Sequence, residues 1–262
     1  MSKHHLSHAS ELYYGDSYDA ALFALNGRPG VPIHPLTKVS LGSPVTAVTD
    51  ALVKAATSTE LPNAATITYT TATDNTSPLD GTIAAPSTVF LNGANVLVWS
   101  LDVPRALTAV MSHSSAVVAS SMIVSGYSVY GNPMTELFTF TAGTTSKSVA
   151  GKKAFKYIYS IAITAATDAT ANTLNVGFGD VLGLPYSLPA KSDLLTNGVF
   201  FNEVLEATAP TVVIADATTA TNATGDVRGT VDLNSALDGS AISIWYRTNP
   251  TSRTSLLGVT QA

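Results

Sequence analysis

The sequence predicts an all-β protein: an antiparallel β-sandwich of jelly-roll or Greek-key topology with an extended N-terminal arm. Three observations favour this fold class. Short segments alternate apolar and polar residues with a period of two, as half-buried strands do. Glycine, asparagine, aspartate and proline separate these segments at short intervals, which indicates turns. The sequence between them lacks the helical patterns that a parallel α/β fold requires.

The composition excludes several classes of protein. The chain has 262 residues, of which 45% are hydrophobic and only 12% are charged, about half the usual charged fraction. Threonine (35 residues) and alanine (36 residues) replace much of the missing charge. The hydrophobic content argues against disorder, and the shortage of charged residues argues against a coiled coil. A net charge of −5 argues against a nucleic-acid partner.

Residues 1–45 are predicted to form the extended arm, and residues 46–262 a single jelly-roll-like β-sandwich domain. Proline and glycine disfavour regular structure in the arm, where a short helix is predicted only over Tyr18–Leu25. The aromatic and aliphatic side chains make this segment too apolar for a free tail, so we expect it to bind its own domain, a neighbouring subunit or a partner. The residues expected to make a partner contact are Tyr13, Tyr14, Tyr18, Phe23, Arg28 and Ile33.

After the arm, the helical spacing of Val48, Leu52 and Val53 predicts one helix over Ala47–Thr57. From residue 64 onward the pattern is β. The clearest strand is Ala154–Thr164, in which large apolar residues occupy every second position. The other predicted strands lie at Thr66–Thr70, Leu91–Leu101, Leu107–Met111, Val117–Tyr127, Thr135–Thr141, Leu174–Phe178, Val199–Phe201, Thr211–Ile214, Val227–Val231 and Ile242–Tyr246.

Turn-forming residues and two stretches of small residues complete the prediction. Turns are expected at Asp74-Asn75, Gly131-Asn132-Pro133, Ala142-Gly143, Asn197-Gly198 and Asp238-Gly239. Ala165–Ala171 and Ala215–Gly225 are predicted to be loops, because alanine is a weak strand former. Two interpretations of these loops stay open: they are solvated, or they are flat contact surfaces.

No combination of residues points to catalysis, a cofactor or a metal. The absence of cysteine excludes disulfides, thiolate nucleophiles and cysteine-based zinc sites. The sequence has no Gly-x-Ser-x-Gly elbow, phosphate-binding loop or His-Glu-x-x-His motif, and its acidic residues are scattered. It also has no apolar run of about 18 residues and no signal-peptide pattern, so a membrane partner and export by the standard route are not expected.

Two glycine- and proline-containing segments have a structural interpretation. Gly131 and Pro133 are expected to form the turn between two strands. A second set, predicted as bends with close backbone approach, comprises Gly177, Gly179, Gly183 and Pro185. A nucleotide-binding loop would need a helix directly after these glycines, and Leu182–Pro189 does not suit one.

Four segments in this order resemble a group of tailed-bacteriophage virion structural proteins. They are Asp102–Arg105, Gly126–Glu136, Gly151–Phe155 and Gly177–Tyr186, and two later turns extend the resemblance over roughly residues 100–247. The resemblance implies a non-enzymatic capsid decoration or cement protein. Such a protein would be made in the host cytoplasm and bind the major capsid protein on the outer capsid surface, bridging neighbouring capsomers as a homotrimer or homodimer.

Two alternatives stay open. The chain could be a tail-associated adaptor or fibre protein, in which case few copies would be present in each virion. It could also be a carbohydrate-binding β domain, with Trp99 and Trp245 as a platform for sugar rings. Because both tryptophans lie in apolar strands, packing in the core is the favoured interpretation of each.

Overall fold

The structure, a computed structural model, describes residues 36–54, 66–71, 82–113, 117, 119–164, 172–216 and 221–247. Within these residues the fold is all-β and antiparallel, which confirms the predicted class. The helical structure described is one three-residue 3-10 turn, Lys191–Asp193. The loop Ala165–Ala171, the turn Asp74-Asn75 and the helix expected over Tyr18–Leu25 lie outside the described residues.

Fifteen strands are described, and the two longest have 20 and 19 residues. In chain order they are β1 (Leu36–Gly42), β2 (Val48–Lys54), β3 (Thr66–Thr70), β4 (Thr82–Ile83), β5 (Ser87–Leu91), β6 (Ala94–His113), β7 (Ser120–Tyr127), β8 (Pro133–Phe140), β9 (Ser146–Thr164), β10 (Asn172–Gly183), β11 (Leu194–Phe201), β12 (Val204–Leu205), β13 (Thr211–Val213), β14 (Thr230–Asp232) and β15 (Ile242–Arg247).

The strands form a large and a small sheet. The large sheet has the order β13-β14-β10-β6-β9-β7-β8, with β2 and β3 pairing with β10 and β9 and β5 forming a hairpin with β6. The small sheet has the order β1-β15-β11-β12. Long-range antiparallel pairing of this kind depends on strands with a buried face, which the alternating sequence provides.

Two clusters of buried apolar side chains hold the sheets together. The larger cluster contains Trp99, Phe138, Phe155 and Ile161. The smaller cluster packs the small sheet against the end of β10, and its main members are Leu182, Leu188, Val231, Ile244 and Tyr246. Strands β6 and β10 each contribute residues to both clusters, so they connect the two halves of the core.

One prediction near the N-terminal end of the domain is wrong. The helix expected over Ala47–Thr57 is strand β2 over Val48–Lys54, whose Val53 is in register with Val176 of β10. Strand pairing therefore overrides the weak helical preference of this segment. The last part of the arm predicted over residues 1–45 contains strand β1 over residues 36–42, with Val39 and Leu41 buried against β15, and residues 1–35 lie outside the described residues.

Two expected strand boundaries also differ from the structure. The strands predicted separately at Leu91–Leu101 and Leu107–Met111 are joined in β6, which continues through Pro104 and the buried Arg105 with a register irregularity. Asn197-Gly198 lies inside β11 at another irregularity, so the predicted turn there is wrong. The turn after β11 is instead at Asn202-Glu203, where both residues have positive φ (50° and 62°).

Candidate functional site

Glu136 of β8 is a buried carboxylate, only 3% exposed. It points inward because it shares the phase of Met134 and Phe138, the buried residues on either side of it in the strand. The backbone N–H groups of Lys152 and Lys153 donate hydrogen bonds to its two oxygens. Burial raises the pKa of Glu136 to about 7, although these hydrogen bonds and the charges of both lysines oppose the rise.

Asp226, also buried, attaches the segment before β14 to β9. One of its oxygens accepts the N–H of Ala154 at 3.0 Å, and the other accepts the N–H of Arg228 at 2.9 Å. The Arg228 Nε lies 3.4 Å from this second oxygen. Nearby, the Lys153 Nζ donates to the carbonyl of Thr221 at 2.7 Å. Burial lowers the pKa of Lys153, and the Glu136 carboxylate is the main opposing influence.

These carboxylates substitute for a missing strand partner. The register of β9 with β7 ends at Tyr157, whereas the N–H groups of residues 152–154 lie further towards the start of β9. A buried N–H group without an acceptor costs about 1–3 kcal/mol. Glu136 and Asp226 supply the acceptors. Both buried acids therefore have a structural role.

Arg105 forms a second buried polar junction and is fully enclosed. Its guanidinium donates to the carbonyl of Gly179 at 2.6 and 2.8 Å, to the carbonyl of Val45 at 3.0 Å and to Asp102 at 3.0 Å. It also stacks 4.5 Å from the ring centre of Phe178. Asp102 accepts the N–H of Val45 at 2.8 Å, so this pair joins β6, β10 and the segment before β2.

Two cavities lie near these groups. The larger, about 650 Å³, is bounded by Lys152 and Asp216 and by the small residues of the 223–225 loop. The smaller, about 200 Å³, lies beside Glu206, whose carboxylate is held by the backbone N–H and hydroxyl of Ser235. Among the described residues, no group of three or more histidines and acids is placed to hold a metal ion. This arrangement secures loops and strand ends.

The predicted arm contacts, Tyr13, Tyr14, Tyr18, Phe23, Arg28 and Ile33, all lie outside the described residues. Of the predicted structural residues, Gly131 adopts a turn conformation with a φ of 77°, and Pro133 is the first residue of β8. Pro185 follows β10, and its carbonyl accepts the hydroxyl of Tyr130 at 2.7 Å.

Gly177, Gly179 and Gly183 are predicted as bends with close backbone approach, and all three lie within strand β10. The close approach is present, because neighbouring segments of the chain lie directly against these glycines. A Cβ atom on Gly177 would lie 1.8 Å from the carbonyl oxygen of Val48, and one on Gly183 would lie 2.3 Å from the Cβ of Ala154. At both positions the space is too small for any side chain, so glycine is required.

The proposed sugar platform does not include Trp99. This side chain is 2% exposed, belongs to the larger core cluster and donates from its ring nitrogen to the carbonyl of Ala84 at 2.7 Å. Trp245 is half-buried in β15, in register with Lys38 of β1. Core packing is therefore confirmed for Trp99.

The outer surface of β3, β9, β7 and β8 has a row of uncharged side chains. Leu137, Ile123, Ala162 and Thr68 are in register across the four strands, in that order. Each of these side chains is exposed or half-buried, and Ile123 is 39% exposed. The neighbouring residues in β7 and β8 point the other way, into the core.

Hydroxyl side chains border this row on both sides. Thr139 is in register with Ser121 on one side, and on the other Thr135 is in register with Ser125, which pairs in turn with Ser160. All five are exposed or half-buried. We call these five residues and the central row of four the hydroxyl face. None of the nine side chains is ionisable, so the face offers hydroxyl groups and apolar surface to a partner.

Large apolar side chains are exposed elsewhere, near sheet edges. Phe90 of the β5–β6 hairpin is 70% exposed, Val204 of edge strand β12 is 68% exposed, and Val213 of edge strand β13 is 52% exposed. Single exposed apolar residues are ordinary, but apolar residues on edge strands mark places where another chain can bind. Sequence reasoning missed these positions and the hydroxyl face because both depend on which strands pair.

Comparisons of the chain with protein families, with curated proteins and with solved structures found no match. The resemblance to bacteriophage virion proteins therefore stays a prediction. No helix in the described part of the chain is long and apolar enough to cross a membrane.

Proposed function

We propose that this chain is a non-enzymatic capsid decoration protein of a tailed bacteriophage. In this proposal it binds the major capsid protein on the outside of the shell and stabilises the particle by bridging neighbouring capsomers. It acts as a symmetric oligomer, a homotrimer or homodimer, and repeats the same small contacts over the whole shell. Repetition of weak contacts produces strong overall attachment without a single large interface.

The observation that carries this proposal is that several of the few charged side chains are buried in the core instead of lying on the surface. The chain has only 13 basic and 18 acidic residues, and six of these are buried among the described residues. The six are Arg105, Glu136, Lys153, Glu206, Asp226 and Arg228. Their partners are backbone groups, one another, the Asp102 carboxylate and the Ser235 hydroxyl. The remaining surface has few charges, as expected of a protein that binds other proteins over several faces.

The two buried junctions support a structural role over an enzymatic one. The carboxylates that would be candidates for acid–base chemistry already accept backbone N–H groups, and Glu136 is nearly inaccessible. A catalytic group must reach the proton that it transfers, so such burial disfavours catalysis. Rigid attachment of loops instead suits a protein that resists mechanical stress.

A binding assay tests the proposal directly. Shells assembled from the major capsid protein that accompanies this chain are mixed with the purified full-length protein and sedimented. We expect the protein to sediment with the shells at saturating, repeatable stoichiometry. If the purified protein does not bind shells assembled without it, the result would contradict the proposal.

A truncation tests the role of the arm within the same assay. Deleting residues 2–35 removes every predicted arm contact and leaves strand β1 intact, whereas deleting residues 2–45 also removes β1. We expect the shorter deletion to keep the β domain folded and to abolish shell binding. Full occupancy of shells by the truncated protein would show that the arm is not the contact.

A further inference from the structure

We propose that the hydroxyl face is the surface through which two copies of this chain associate, face to face and around a two-fold axis. The face is the outer surface of strands β3, β9, β7 and β8, defined above by its central apolar row and its two hydroxyl rows. This proposal names a partner surface for the oligomer of the proposed function. It does not depend on shell binding, because it concerns the protein alone in solution.

Charge is the first argument. The chain has a net charge of −5, so two copies repel one another over most relative orientations. Across the hydroxyl face, no described side chain is ionisable, and the one acid of β8, Glu136, points into the core. Two copies can therefore meet at this surface without placing like charges in contact.

Symmetry is the second argument. An interface between identical copies related by a two-fold axis must match itself. The hydroxyl face has the same kind of residue on both sides of its central row, with serine and threonine flanking Leu137 and Ile123. A two-fold rotation that superposes the central rows therefore places apolar side chains on apolar side chains. It also places hydroxyl groups on hydroxyl groups, where each can donate and accept.

The size of the face predicts the strength of association. Neighbouring strands lie about 4.8 Å apart and alternate residues along a strand about 6.8 Å apart, so the nine residues of the face cover about 300 Å² on each copy. Two copies would bury about 600 Å² of this flat surface, compared with about 1,600 Å² for a stable pairwise interface. We therefore expect a weak dimer that forms as the protein concentration rises, and that becomes dominant where a partner holds copies side by side.

Sedimentation velocity of the full-length protein, without shells, tests the proposal. The wild-type protein should change from monomer to dimer between low micromolar and several hundred micromolar concentration. Ile123→Lys places a cation in the centre of the face, and we expect it to weaken the dimer at least about tenfold. Val48→Lys is the matched control, because this β-branched residue is exposed to a similar extent (38%) and lies on β2, which pairs with β10 and β4; it should dimerise like the wild type.

A second variant tests the same surface in case Ile123→Lys does not fold. Ser125→Glu adds a carboxylate to a hydroxyl row without removing apolar surface, and it should also weaken the dimer. Because the chain has no cysteine, Ile123→Cys provides a single thiol for a short bismaleimide, and we expect covalent dimers that Val48→Cys does not form. A wild type that stays monomeric, a trimer, or an Ile123→Lys protein that dimerises normally would each overturn the proposal. Loss of shell binding alone in Ile123→Lys, with a monomeric wild type, would assign the face to the shell instead.

Discussion

Glu136 makes the stability of this protein depend on pH near neutrality. Its pKa rises from an ordinary value of 4.5 to about 7 on folding, mainly because the carboxyl group is buried. The folded state therefore holds a proton that the unfolded state has released between these two pH values. The stabilisation is complete below pH 4.5 and is lost as pH rises through 7. The difference corresponds to about 3 kcal/mol.

Urea unfolding at a series of pH values from 4.5 to 8.5 measures this effect. Glu136→Gln keeps an acceptor for one backbone N–H group but cannot titrate, so its free energy of unfolding should lack the fall seen in the wild type. The difference between the two curves isolates Glu136 from the other titrating groups. Glu203→Gln, at an exposed turn residue, is the control and should follow the wild type. Equal pH dependence in the wild type and Glu136→Gln would refute the reasoning.

Two further predictions concern close packing and the buried junction at Arg105. Gly183→Ala should lower the free energy of unfolding by about 1–3 kcal/mol, because its Cβ would lie 2.3 Å from that of Ala154. Gly225→Ala, whose Cβ would have ordinary contacts from 3.4 Å, should change it little; equal urea midpoints would contradict this account. Arg105→Met should lower the free energy of thermal or urea unfolding by about 1–3 kcal/mol, because the carbonyls of Gly179 and Val45 and the Asp102 carboxylate lose their hydrogen bonds to the guanidinium. Arg247→Met, at an exposed residue, should have little effect, and similar losses in both variants would argue against the junction.

The sequence predicts strands best where every second residue must be apolar. The alternation in the second half of β9 and the first half of β10 follows directly from burial of one face, so the strands predicted at Ala154–Thr164 and Leu174–Phe178 lie within the observed strands. The first eight residues of β9 and the last five of β10 were not predicted as strand. The segment predicted as a helix over Ala47–Thr57 forms β2 instead, because pairing with β10 outweighs the helical spacing of Val48, Leu52 and Val53. A local sequence pattern does not predict which distant strands pair with one another.

The candidate site was partly readable from the sequence. Glu136 is in phase with Met134 and Phe138, which is a signal that this acid points inward and needs partners. Its partners on β9 depend on where β7 ends its pairing, and no spacing in the sequence gives that position. The hydroxyl face is a similar case. The serines and threonines are visible in the sequence, but only strand register places them in rows beside Leu137 and Ile123.

Quantifying the chain in purified virus particles tests the central claim most directly, namely that this protein is a shell component that binds through surfaces with few charges. Particles released from cells that carry this sequence can be analysed by quantitative mass spectrometry and by electron microscopy with the chain labelled. We predict copies on the order of hundreds per particle, located on the outer shell surface, as a symmetric lattice requires. Particles that contain a few copies at the tail would favour the tail-associated alternative. Particles without the chain would contradict the account.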